Sequence, residues 1–548
     1  MTSVDAREIE WQFDAVDLRS VVRWLSEPTG WEEEGLGPVR VGPAGSDNHV
    51  DVYLDTDDRR FHRAGYALRI RRPTRGGRGG EAALKAVESA AAPPGLRARR
   101  EVSEAIADTD PSSLRQAPGA VGERVRAVAG TKPLRSLFEV RTRRRLFSVE
   151  ANGATPGEIG LDETGIRTAD GAPPARIRRV EIEVPEDAVD ALEPFVDLLR
   201  EACGLQPAGL SKYQVGLLSA DLRAPRPESF GPTEFDSEAP IGVVAIAVLR
   251  RQFAALRARE PGTRLGDDIE ELHDMRVATR RLRAALSLFA DVLPESAQSF
   301  REDLAWLGQA LGGVRDLDVQ LEQLDGWLAA VPKEDRKALG ALRSLLEDQR
   351  RDARAALLET LDSRRYDVFV GRFGRFLRAR SRRPTAAAAA PALSVAPDLI
   401  ETRFRKLRSR GDRIGPTSAA DELHRLRIHG KHLRYALEFL GDLYPGQTRP
   451  LIRRLVELQD VLGSHQDADV AIARLRGLAA DPGAGLEPAT IFAMGEIAER
   501  YRRSMASLRA AFPRAYERVQ RKAWKSLRQV LEERRPGAPV EASTDAAE

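Results

Sequence analysis

Two acidic pairs stand out in the first half of the chain because like charges recur at alternate positions. Glu8 and Glu10 form the first pair, and Glu181 and Glu183 form the second. Alternate residues of a strand point to the same face, so each pair places two carboxylates side by side. A divalent cation between them would relieve their repulsion, and Mg²⁺ prefers such oxygen ligands. The spacing therefore favours a metal-binding role for these acids.

A basic pair, Arg69 and Arg71, lies in the strand-like segment LRIR. Two guanidinium groups on one face suit a polyanion, because phosphate oxygens accept several charge-assisted hydrogen bonds. In the segment EVRTRRRLF, basic residues occupy both faces, so the sequence leaves the register of that strand open. Acidic and basic strands in one domain are what a metal-bridged phosphate site requires. The alternative is an ordinary sheet with a solvated polar face.

The second half contains two related helical segments, LHDMRVATRRLRAAL and LHRLRIHGKHLRYAL, each with a basic stripe beside an apolar seam. Like charges at helical spacing destabilise an isolated helix slightly. A polyanion bound along both stripes would offset that cost. The stripe residues are His273, Arg276, Arg280 and Arg283 in the first segment and His424, Arg427, Lys431 and Arg434 in the second.

The two segments belong to an internal repeat. They begin at Leu272 and Leu423, an offset of 151 residues, and the segments LGGVRDLDV and LGSHQDADV begin at Leu311 and Leu462 with the same offset. A constant offset over this length predicts two copies of one helical unit related by a pseudo-two-fold axis. The period is too long for a solenoid, so we expect two packed helical bundles.

The stripes have alternative interpretations. One alternative is that the stripes are solvated helix faces, and another is that their arginines pair with acids of the second motif. Those acids would also be able to orient the basic side chains toward a ligand. His273 or His424 with nearby carboxylates would suit a metal ion, although neither copy has a compact two-histidine spacing. A nucleic acid would need aromatic residues for base stacking, and the stripes contain few. The acids concerned are Asp316, Asp318, Asp467 and Asp469.

Composition limits the classes of protein that fit. The 548 residues are too many for one core, so we expect at least two domains, and 42% hydrophobic and 31% charged residues fit a soluble globular protein. The 86 basic residues nearly balance the 83 acidic ones, whereas a nonspecific nucleic-acid binder usually has a larger basic excess. No apolar run reaches the roughly 18 residues of a membrane-spanning helix. One cysteine, Cys203, and no visible secretory signal fit a cytoplasmic protein.

Changes of pattern divide the chain into an α+β, multidomain arrangement. Short alternating runs broken by glycine and proline predict strands in the first part, and long amphipathic periods predict helices in the second. A segment rich in proline and charge predicts a linker between them. The predicted parts are a strand-rich domain at 1–220, a linker at 221–239, a helical domain at 240–534 with copies at about 240–383 and 394–534, and a disordered tail at 535–548.

The ordered fragments EIEWQ, VYLDT, ALRIRR, ALKAVES, RREVSE, VRTRRR, GLDETG, VEIEVP and LSKYQ resemble the CYTH family of triphosphate tunnel metalloenzymes. The resemblance implies an eight-stranded antiparallel β-tunnel with flanking helices, in which paired acids bind Mg²⁺ or Mn²⁺ and basic residues hold a triphosphate. It implies Glu8 and Glu10 as catalytic residues and Glu8, Glu10, Asp162, Glu181 and Glu183 as metal ligands. The implied triphosphate ligands are Arg69, Arg71, Lys85, Arg143 or Arg144, and Lys212.

One residue departs from the family pattern, because the signature Glu-x-Glu-x-Lys ends here in Gln12. Glutamine carries no charge, so the tunnel loses a cation that would stabilise phosphate or the transition state. Two hypotheses follow: a metal-dependent triphosphatase that acts on triphosphate or short polyphosphate, and a non-catalytic polyphosphate-binding protein with an inactive tunnel. A third is a nucleotide triphosphatase or class IV-like adenylate cyclase, for which we find no adenine-reading element.

The helical half is similar to the CHAD domain, a conserved-histidine α-helical domain, over about residues 240–530. The similarity rests on the two motif helices and on the segments VRDLDV and LQDVLGSHQDADV. It implies two all-α bundles around a basic pore that binds inorganic polyphosphate without a catalytic step, so both stripes are the implied ligands. The expected partners are inorganic polyphosphate or triphosphate, not a nucleic acid or a membrane, and association with polyphosphate granules would follow.

Overall fold

A computed structural model of the chain describes residues 3–27, 39–74, 79–87, 93–151, 157–168, 174–222, 228–330, 333–379 and 385–536. The chain divides into two compact units, Met1–Pro227 with Pro261–Asp267 and Glu228–Glu260 with Asp268–Glu548. Part of the predicted linker, 223–227, and most of the predicted tail, 537–548, lie outside the described residues. The domain limits given above therefore stay predictions.

The strands of the first unit are β1 Ser3–Asp14, β2 Val39–Asp55, β3 Tyr66–Pro73, β4 Gly80–Ala86, β5 Leu96–Ile106, β6 Arg135–Ala151, β7 Gly157–Thr168, β8 Ala175–Glu183 and β9 Gln206–Pro207. They pair antiparallel in the order β5-β4-β3-β2-β6-β7-β8-β1, with the short β9 next to β1. The first eight strands close into a barrel because β1 pairs with both β5 and β8.

Helices accompany the strands of this barrel. They are α1 Leu18–Ser26, α2 Arg60–Arg63, α3 Ala120–Ala129, α4 Val189–Ala202 and α5 Lys212–Ser219, with 3₁₀ turns at Pro111–Gln116 and Glu186–Ala188. A capping box between Ser211 and Gln214 starts α5, which fixes Lys212 in the first turn of that helix.

The apolar face of the strands points outward. Trp11 of β1 and Ile182 of β8 pack with Phe195 of α4, and Leu68 of β3 packs with Val125 of α3. Because side chains alternate along a strand, burial of the apolar face against helices turns the charged face into the barrel. The predicted eight-stranded tunnel with a charged interior is confirmed.

The second unit is largely helical, as predicted. The helices that follow the barrel in the chain are α6 Ile241–Leu265, which belongs to the second unit up to Glu260, α7 Ile269–Leu288, α8 Phe300–Ala330, α9 Lys333–Asp362, α10 Arg364–Arg378, α11 Ala386–Ala389, α12 Ala392–Gly411, α13 Ala420–Phe439, α14 Arg449–Ala480, α15 Pro488–Arg518 and α16 Trp524–Glu533. Short 3₁₀ turns lie at Glu295–Ser299, Gly441–Leu443 and Pro482–Ala484, and a π turn lies at Val519–Ala523.

The internal repeat is visible in the helix bounds. The helices α7 and α13 both have 20 residues and begin at 269 and 420, and α6 and α12 begin at 241 and 392, so both pairs keep the offset of 151. The apolar seams of the motif helices join one core through Leu272, Met275 and Leu282 and through Leu423, Leu426 and Leu433. In the described part of the chain, no helix has the length and apolar character needed to cross a membrane.

A buried histidine distinguishes the second copy from the first. His465 on α14 is 1% exposed, and neither of its ring nitrogens has a hydrogen-bond partner among the residues that the structure describes. The position 151 residues earlier is Val314, which is also buried. Burial, aided by the charge of Arg509, lowers the pKa of His465.

Replacing His465 with valine is expected to stabilise the protein, by about 1 kcal/mol for removing an unpartnered buried polar group. A histidine whose pKa falls on folding takes up its proton more readily in the unfolded chain, so stability is lost as the pH drops through about 6.5. The His465→Val variant should therefore gain more in melting temperature at pH 5 than at pH 8. An equal gain at both pH values would contradict the pH-dependent part of this prediction.

Candidate functional site

The barrel encloses a cavity of about 340 Å³, lined by side chains from inward strand positions and from the start of α5. The interaction of charges is strong in such a confined space because solvent screens them poorly. The lining acids are Glu8, Glu10, Asp51, Glu81, Glu101, Glu158, Glu181 and Glu183, and the lining basic residues are Arg7, Arg69, Arg71, Lys85, Arg99, Arg144 and Lys212.

Glu8 and Glu10 share one cation, because the ammonium group of Lys85 contacts both carboxylates. Burial and the charge of Glu10 raise the pKa of Glu8 to about 7, against the opposing effect of Lys85. Burial also disfavours the charge of Glu10, but Lys85 and Arg99 outweigh it and lower the pKa of Glu10 to about 2. Glu10 is therefore the carboxylate whose negative charge is stabilised, whereas the charge of Glu8 would be stabilised by a further cation.

The second acidic pair shows the same asymmetry. Burial opposes the charge of Glu181, yet Lys212 Nζ, 2.9 Å from its Oε1, and Arg144 hold the pKa of Glu181 well below its usual range. Glu183 lies opposite Glu10 in the strand register, and desolvation followed by the charge of Glu10 raises the pKa of Glu183. Glu183 is thus a second acid whose charge Lys85 and Arg144 compensate only in part.

Asp162, the fifth predicted metal ligand, does not line the cavity. Its side chain is fully buried, with Arg144 Nε 2.7 Å from Oδ1 and Lys212 Nζ 2.5 Å from Oδ2. The register of β6 and β7 places it directly opposite Arg144. Asp162 thus contacts two predicted phosphate ligands and does not line the cavity, and its role as a metal ligand stays a prediction.

The carboxylates that remain fit a hard divalent cation such as Mg²⁺ or Mn²⁺ by their oxygen chemistry. Glu8, Glu10 and Glu183 would hold it, because two of these three have raised pKa values that a bound cation would lower. Within the described ranges, however, no three histidine, cysteine, aspartate or glutamate side chains converge as a formed metal site. Lys85 contacts Glu8 and Glu10 instead, so a metal ion would have to displace its ammonium group.

Asp51 fixes the two arginines of β3. Arg71 Nε lies 2.8 Å from Asp51 Oδ1, and Arg69 Nη1 lies 3.5 Å from Oδ2, while Arg69 Nη2 donates to Glu101 over 2.9 Å. Burial alone would raise the pKa of Asp51, but the two guanidinium charges hold it well below its usual range. Asp51 and Glu101 thus orient the two guanidinium groups at the cavity wall, as phosphate recognition requires.

The ambiguity in β6 is resolved by the strand register. Arg144 faces the cavity, whereas Arg143 is exposed and lies opposite the exposed Glu163. Successive residues of a strand point to opposite faces, so both cannot enter the barrel. Arg144 therefore lines the cavity and Arg143 does not, and phosphate binding by either residue stays a prediction.

Because Arg144 faces the cavity and Arg143 does not, substitutions of these two neighbours form a matched test. Arg144→Gln is expected to weaken triphosphate binding roughly 100-fold, because it removes a charge-assisted contact inside a confined cavity. Arg143→Gln should change binding less than about twofold, since exposed charges contribute little. Calorimetric titration of both variants with triphosphate measures this, and equal losses in the two would contradict the assignment.

Gln12 occupies the place of the signature lysine and is 4% exposed. Its Nε2 donates to Glu181 Oε1 over 3.4 Å, and its Oε1 has no hydrogen-bond partner. Glu181 keeps its counter-charge from Lys212 and Arg144 without a lysine at position 12. The charge of Glu181 is therefore compensated without the signature lysine, but position 12 contributes an uncharged side chain to the cavity wall.

The charged lining residues that were not singled out from the sequence are Arg7, Asp51, Glu81, Arg99, Glu101 and Glu158. Arg99 is 5% exposed and donates to Glu10. Arg99 and Glu101 alternate along β5, so the same search for charges at alternate positions would have found them had opposite charges been allowed. Asp51 carried no such signal, because its partners lie on another strand.

The helical unit contains its own cavity, of about 850 Å³. Both basic stripes reach it, and seven of the eight predicted polyphosphate ligands line it: His273, Arg276, Arg280, Arg283, His424, Arg427 and Lys431. Arg434 does not, because its guanidinium group lies 5.5 Å from the ring centre of Tyr435, with Nε 3.7 Å from Glu438. Arg434 therefore lies beside the cavity, and its role as a polyphosphate ligand stays a prediction.

Three further basic residues line this cavity and were missed: Arg301 and Arg315 on α8 and His432 on α13. Arg301 and Arg315 lie outside the motif helices, so no spacing within a stripe pointed to them. His432 lies one position after Lys431, on the flank of the stripe. Burial and then Arg403 lower the pKa of His432 to about 4, so it is neutral at physiological pH.

The basic groups of this cavity lack sufficient counter-charge. Burial and the charge of Arg280 lower the pKa of Arg276, and burial also lowers the pKa of Arg427. Burial and then Arg427, Arg280 and Arg276 lower the pKa of Lys431 to about 7. Cations of both copies thus repel one another across the cavity, and a bound polyanion would relieve that repulsion.

Acids compensate only part of this charge. Asp316 Oδ1 lies 3.4 Å from Arg276 Nη2, and Asp467 also lines the cavity. Asp318 pairs with Arg350 at 2.5 Å and does not line it. Full pairing of the stripes with the motif acids is therefore not what the structure shows.

The two motif histidines face the cavity with the Nδ1 atom of each unpartnered. Burial, then the charge of Arg315, lowers the pKa of His273. Since no three metal-ligating side chains converge in the part of the chain that the structure describes, the geometry does not support the metal alternative for these histidines. Their imidazole nitrogens suit hydrogen bonding within the cavity.

Comparison with known families matches residues 32–216 to the CYTH domain and residues 247–476 to the CHAD domain. Comparison with curated proteins finds no match. Enzymes of the CYTH family are metal-dependent.

Solved structures are similar to one or other part of the chain. The CHAD domain from the plant Ricinus communis is 30% identical, with 53% of this chain and 96% of that chain covered and a TM-score of 0.45. PptA from Streptomyces chartreusis is 23% identical, with coverage of 51% and 100% and a TM-score of 0.43. A putative adenylyl cyclase from Hippeastrum, described as having a dominant triphosphatase activity, is 16% identical, with coverage of 39% and 96% and a TM-score of 0.29.

Two successive domain matches, a closed strand barrel with a charged interior and a duplicated helical unit with two basic stripes lead to one assignment. The chain belongs to the CYTH–CHAD fusion proteins, which join a triphosphate tunnel domain to a conserved-histidine α-helical domain.

Proposed function

We propose that the helical domain binds inorganic polyphosphate in the cavity between its two basic stripes. The observation that carries this proposal is the convergence of cations from both copies on one cavity with few acids. A linear polyanion supplies many acceptor oxygens along its length, so it can contact both stripes at once. As part of the same proposal, the protein is cytoplasmic and accompanies polyphosphate granules.

We further propose that the tunnel hydrolyses triphosphate or short polyphosphate with Mg²⁺ or Mn²⁺. Arg69, Arg71 and Arg144 would bind the phosphate oxygens from the cavity wall, with Asp51 and Asp162 holding these arginines in place. When bound, the metal ion supplies charge neutralisation for the phosphoryl group and helps to place the attacking water. The protein thereby contributes positioning and electrostatic stabilisation, the main requirements of phosphoryl transfer.

The alternative is a tunnel that binds phosphate without turning it over. Two observations favour it: the uncharged Gln12 in the cavity wall, and the contacts of Lys85 with both Glu8 and Glu10 where a metal ion would have to bind. Both alternatives place condensed phosphate in the tunnel, so only an activity measurement separates them.

Phosphate release by the full chain separates these alternatives when triphosphate, longer polyphosphate, ATP and GTP are compared with Mg²⁺, Mn²⁺ or a chelator. We expect metal-dependent release that is faster from triphosphate than from either nucleotide. If no phosphate is released from any substrate over a broad range of pH and metal concentration, the triphosphatase hypothesis is excluded and the non-catalytic binding protein is favoured. Preferential turnover of ATP, with pyrophosphate as product, would point to a cyclase.

A further inference from the structure

Lys431 differs from the other basic residues of the helical cavity. It occupies in the second copy the position that Arg280 occupies in the first, at the offset of 151. Among the described residues, Lys431 has no ion-pair partner, whereas Lys85 contacts three acids and Lys212 two in the barrel. The helical cavity therefore contains an amine that forms no ion pair with the described carboxylates.

The groups facing Lys431 are mostly cationic. Those that raise the energy of its charged form are Arg427, Arg280, Arg276 and Arg434, and Arg283, Arg301, Arg315, His273, His424 and His432 line the same cavity. The two lining acids serve other cations: Asp316 lies 3.4 Å from Arg276, and Asp467 favours the charge of Arg427. No element that lines the cavity thus offers Lys431 a carboxylate of its own.

Such crowding has a chemical consequence. Burial and the adjacent arginines lower the pKa of Lys431 to about 7, so a substantial fraction of its amine is unprotonated at neutral pH. Only the unprotonated amine is a nucleophile, and desolvation next to other cations is a known way to activate lysine. The same arginines attract phosphate groups, which would bring a phosphate-bearing electrophile next to the amine.

We propose that Lys431 is an acylation site for small acyl phosphates. The phosphate group docks on Arg280 and Arg427, and Nζ of Lys431 attacks the neighbouring carbonyl carbon. A C–N bond forms, the C–O bond to the phosphate breaks, and inorganic phosphate leaves with the electron pair while the amine proton passes to water. The product is an amide that removes one cation from the cavity.

This inference rests on the basic cavity of the proposed function, but it requires only that the cavity attract a phosphate group. Long-chain polyphosphate should protect Lys431, because it would occupy the same arginines and restore the proton to the amine. Acylation should in turn weaken polyphosphate binding. The modification therefore reports whether the cavity is filled.

The test uses the full chain and acetyl phosphate at pH 7, with peptide mass spectrometry to compare Lys431 with the exposed Lys406 on α12. Lys431 is expected to be acetylated at least about tenfold faster, because an ordinary lysine is almost fully protonated at this pH. The Arg280→Gln, Arg427→Gln double variant should lose that preference. Acetic anhydride, which lacks a phosphate to dock, should show a smaller preference than acetyl phosphate.

Equal or slower acetylation of Lys431 than of Lys406 would overturn the proposal, and so would an unchanged preference in the double variant. A melting curve of the double variant shows whether it is folded, and Lys406→Arg serves as the control variant for the reference site. Polyphosphate binding is measured separately on the same protein. Preferential acetylation without polyphosphate binding would refute the proposed function alone, and binding without preferential acetylation would refute this inference alone.

Discussion

Replacing Glu10 with glutamine is expected to lower the turnover of triphosphate at least about a thousandfold. Glu10 is 3% exposed, lies opposite Glu183 and contacts Lys85 and Arg99, so its charge organises both the acids and the cations of the cavity. The substitution keeps the size of the side chain and removes only the charge. Phosphate release under saturating metal ion measures the effect.

The control for Glu10→Gln is Glu158→Gln, because Glu158 lines the same cavity at an exposed position and lies opposite Glu183. It should retain most of the wild-type rate. Because removal of one partner from a buried ion pair costs about 3–5 kcal/mol, the melting temperature of Glu10→Gln must be measured beside its activity. A folded Glu10→Gln variant that still turns over triphosphate would exclude Glu10 from the catalytic machinery.

Reversing the charge of Arg276 and Arg427 together is expected to weaken the binding of long-chain polyphosphate about a thousandfold. Each residue lies in a different copy, and each has a lowered pKa through burial in a cavity of like charges. Loss of two such contacts corresponds to about 4 kcal/mol or more of binding free energy, which gives this factor. Titration calorimetry of the Arg276→Glu, Arg427→Glu protein measures it.

The matched control reverses Arg351 and Arg503, which change the net charge equally but are exposed and pair locally with Asp348 and Glu499. This control should bind within a few-fold of the wild type. The cavity variant should also melt no lower than the wild type, since it relieves repulsion among cations. If both variants lost affinity equally, binding would depend on overall charge and not on the cavity.

The sequence predicted the inward face of three strands well, because charge and apolarity alternate cleanly in them. In β1, β3 and β8 the alternation itself separates the two faces, as Glu10, Arg69 and Glu181 show. In β6 both faces carry arginine, so only the pairing with β7 places Arg144 inside and Arg143 outside. The alternation of residue types along a strand therefore predicts which face points inward only when the two faces differ in chemistry.

Roles within the barrel were harder to predict than positions. The resemblance assigns Asp162 to a metal ion, yet in the structure its carboxylate contacts Arg144 on β6 and Lys212 on α5. Asp51 likewise contacts the β3 arginines, but it belongs to no pattern of charges at alternate positions in the sequence. Such contacts depend on which strands become neighbours, which a single segment does not encode.

In the helical unit, the repeat carried most of the information. A stripe seen twice at one offset indicated a shared ligand, and both stripes do face one cavity. Arg301 and Arg315 reach the cavity from α8 at spacings unrelated to the stripes, so only tertiary packing reveals them. The lowered pKa of Lys431 likewise arises from burial and from cations of both copies, and not from its own helix alone.

The most direct measurement is a titration of the full wild-type chain with long-chain polyphosphate at several salt concentrations, with orthophosphate at equal total phosphate beside it. We expect submicromolar affinity for polyphosphate, a log Kd that rises linearly with log salt as charge contacts are screened, and negligible orthophosphate binding. Absence of polyphosphate binding at low salt, with the protein folded, would contradict the claim that the two basic stripes form a polyanion site.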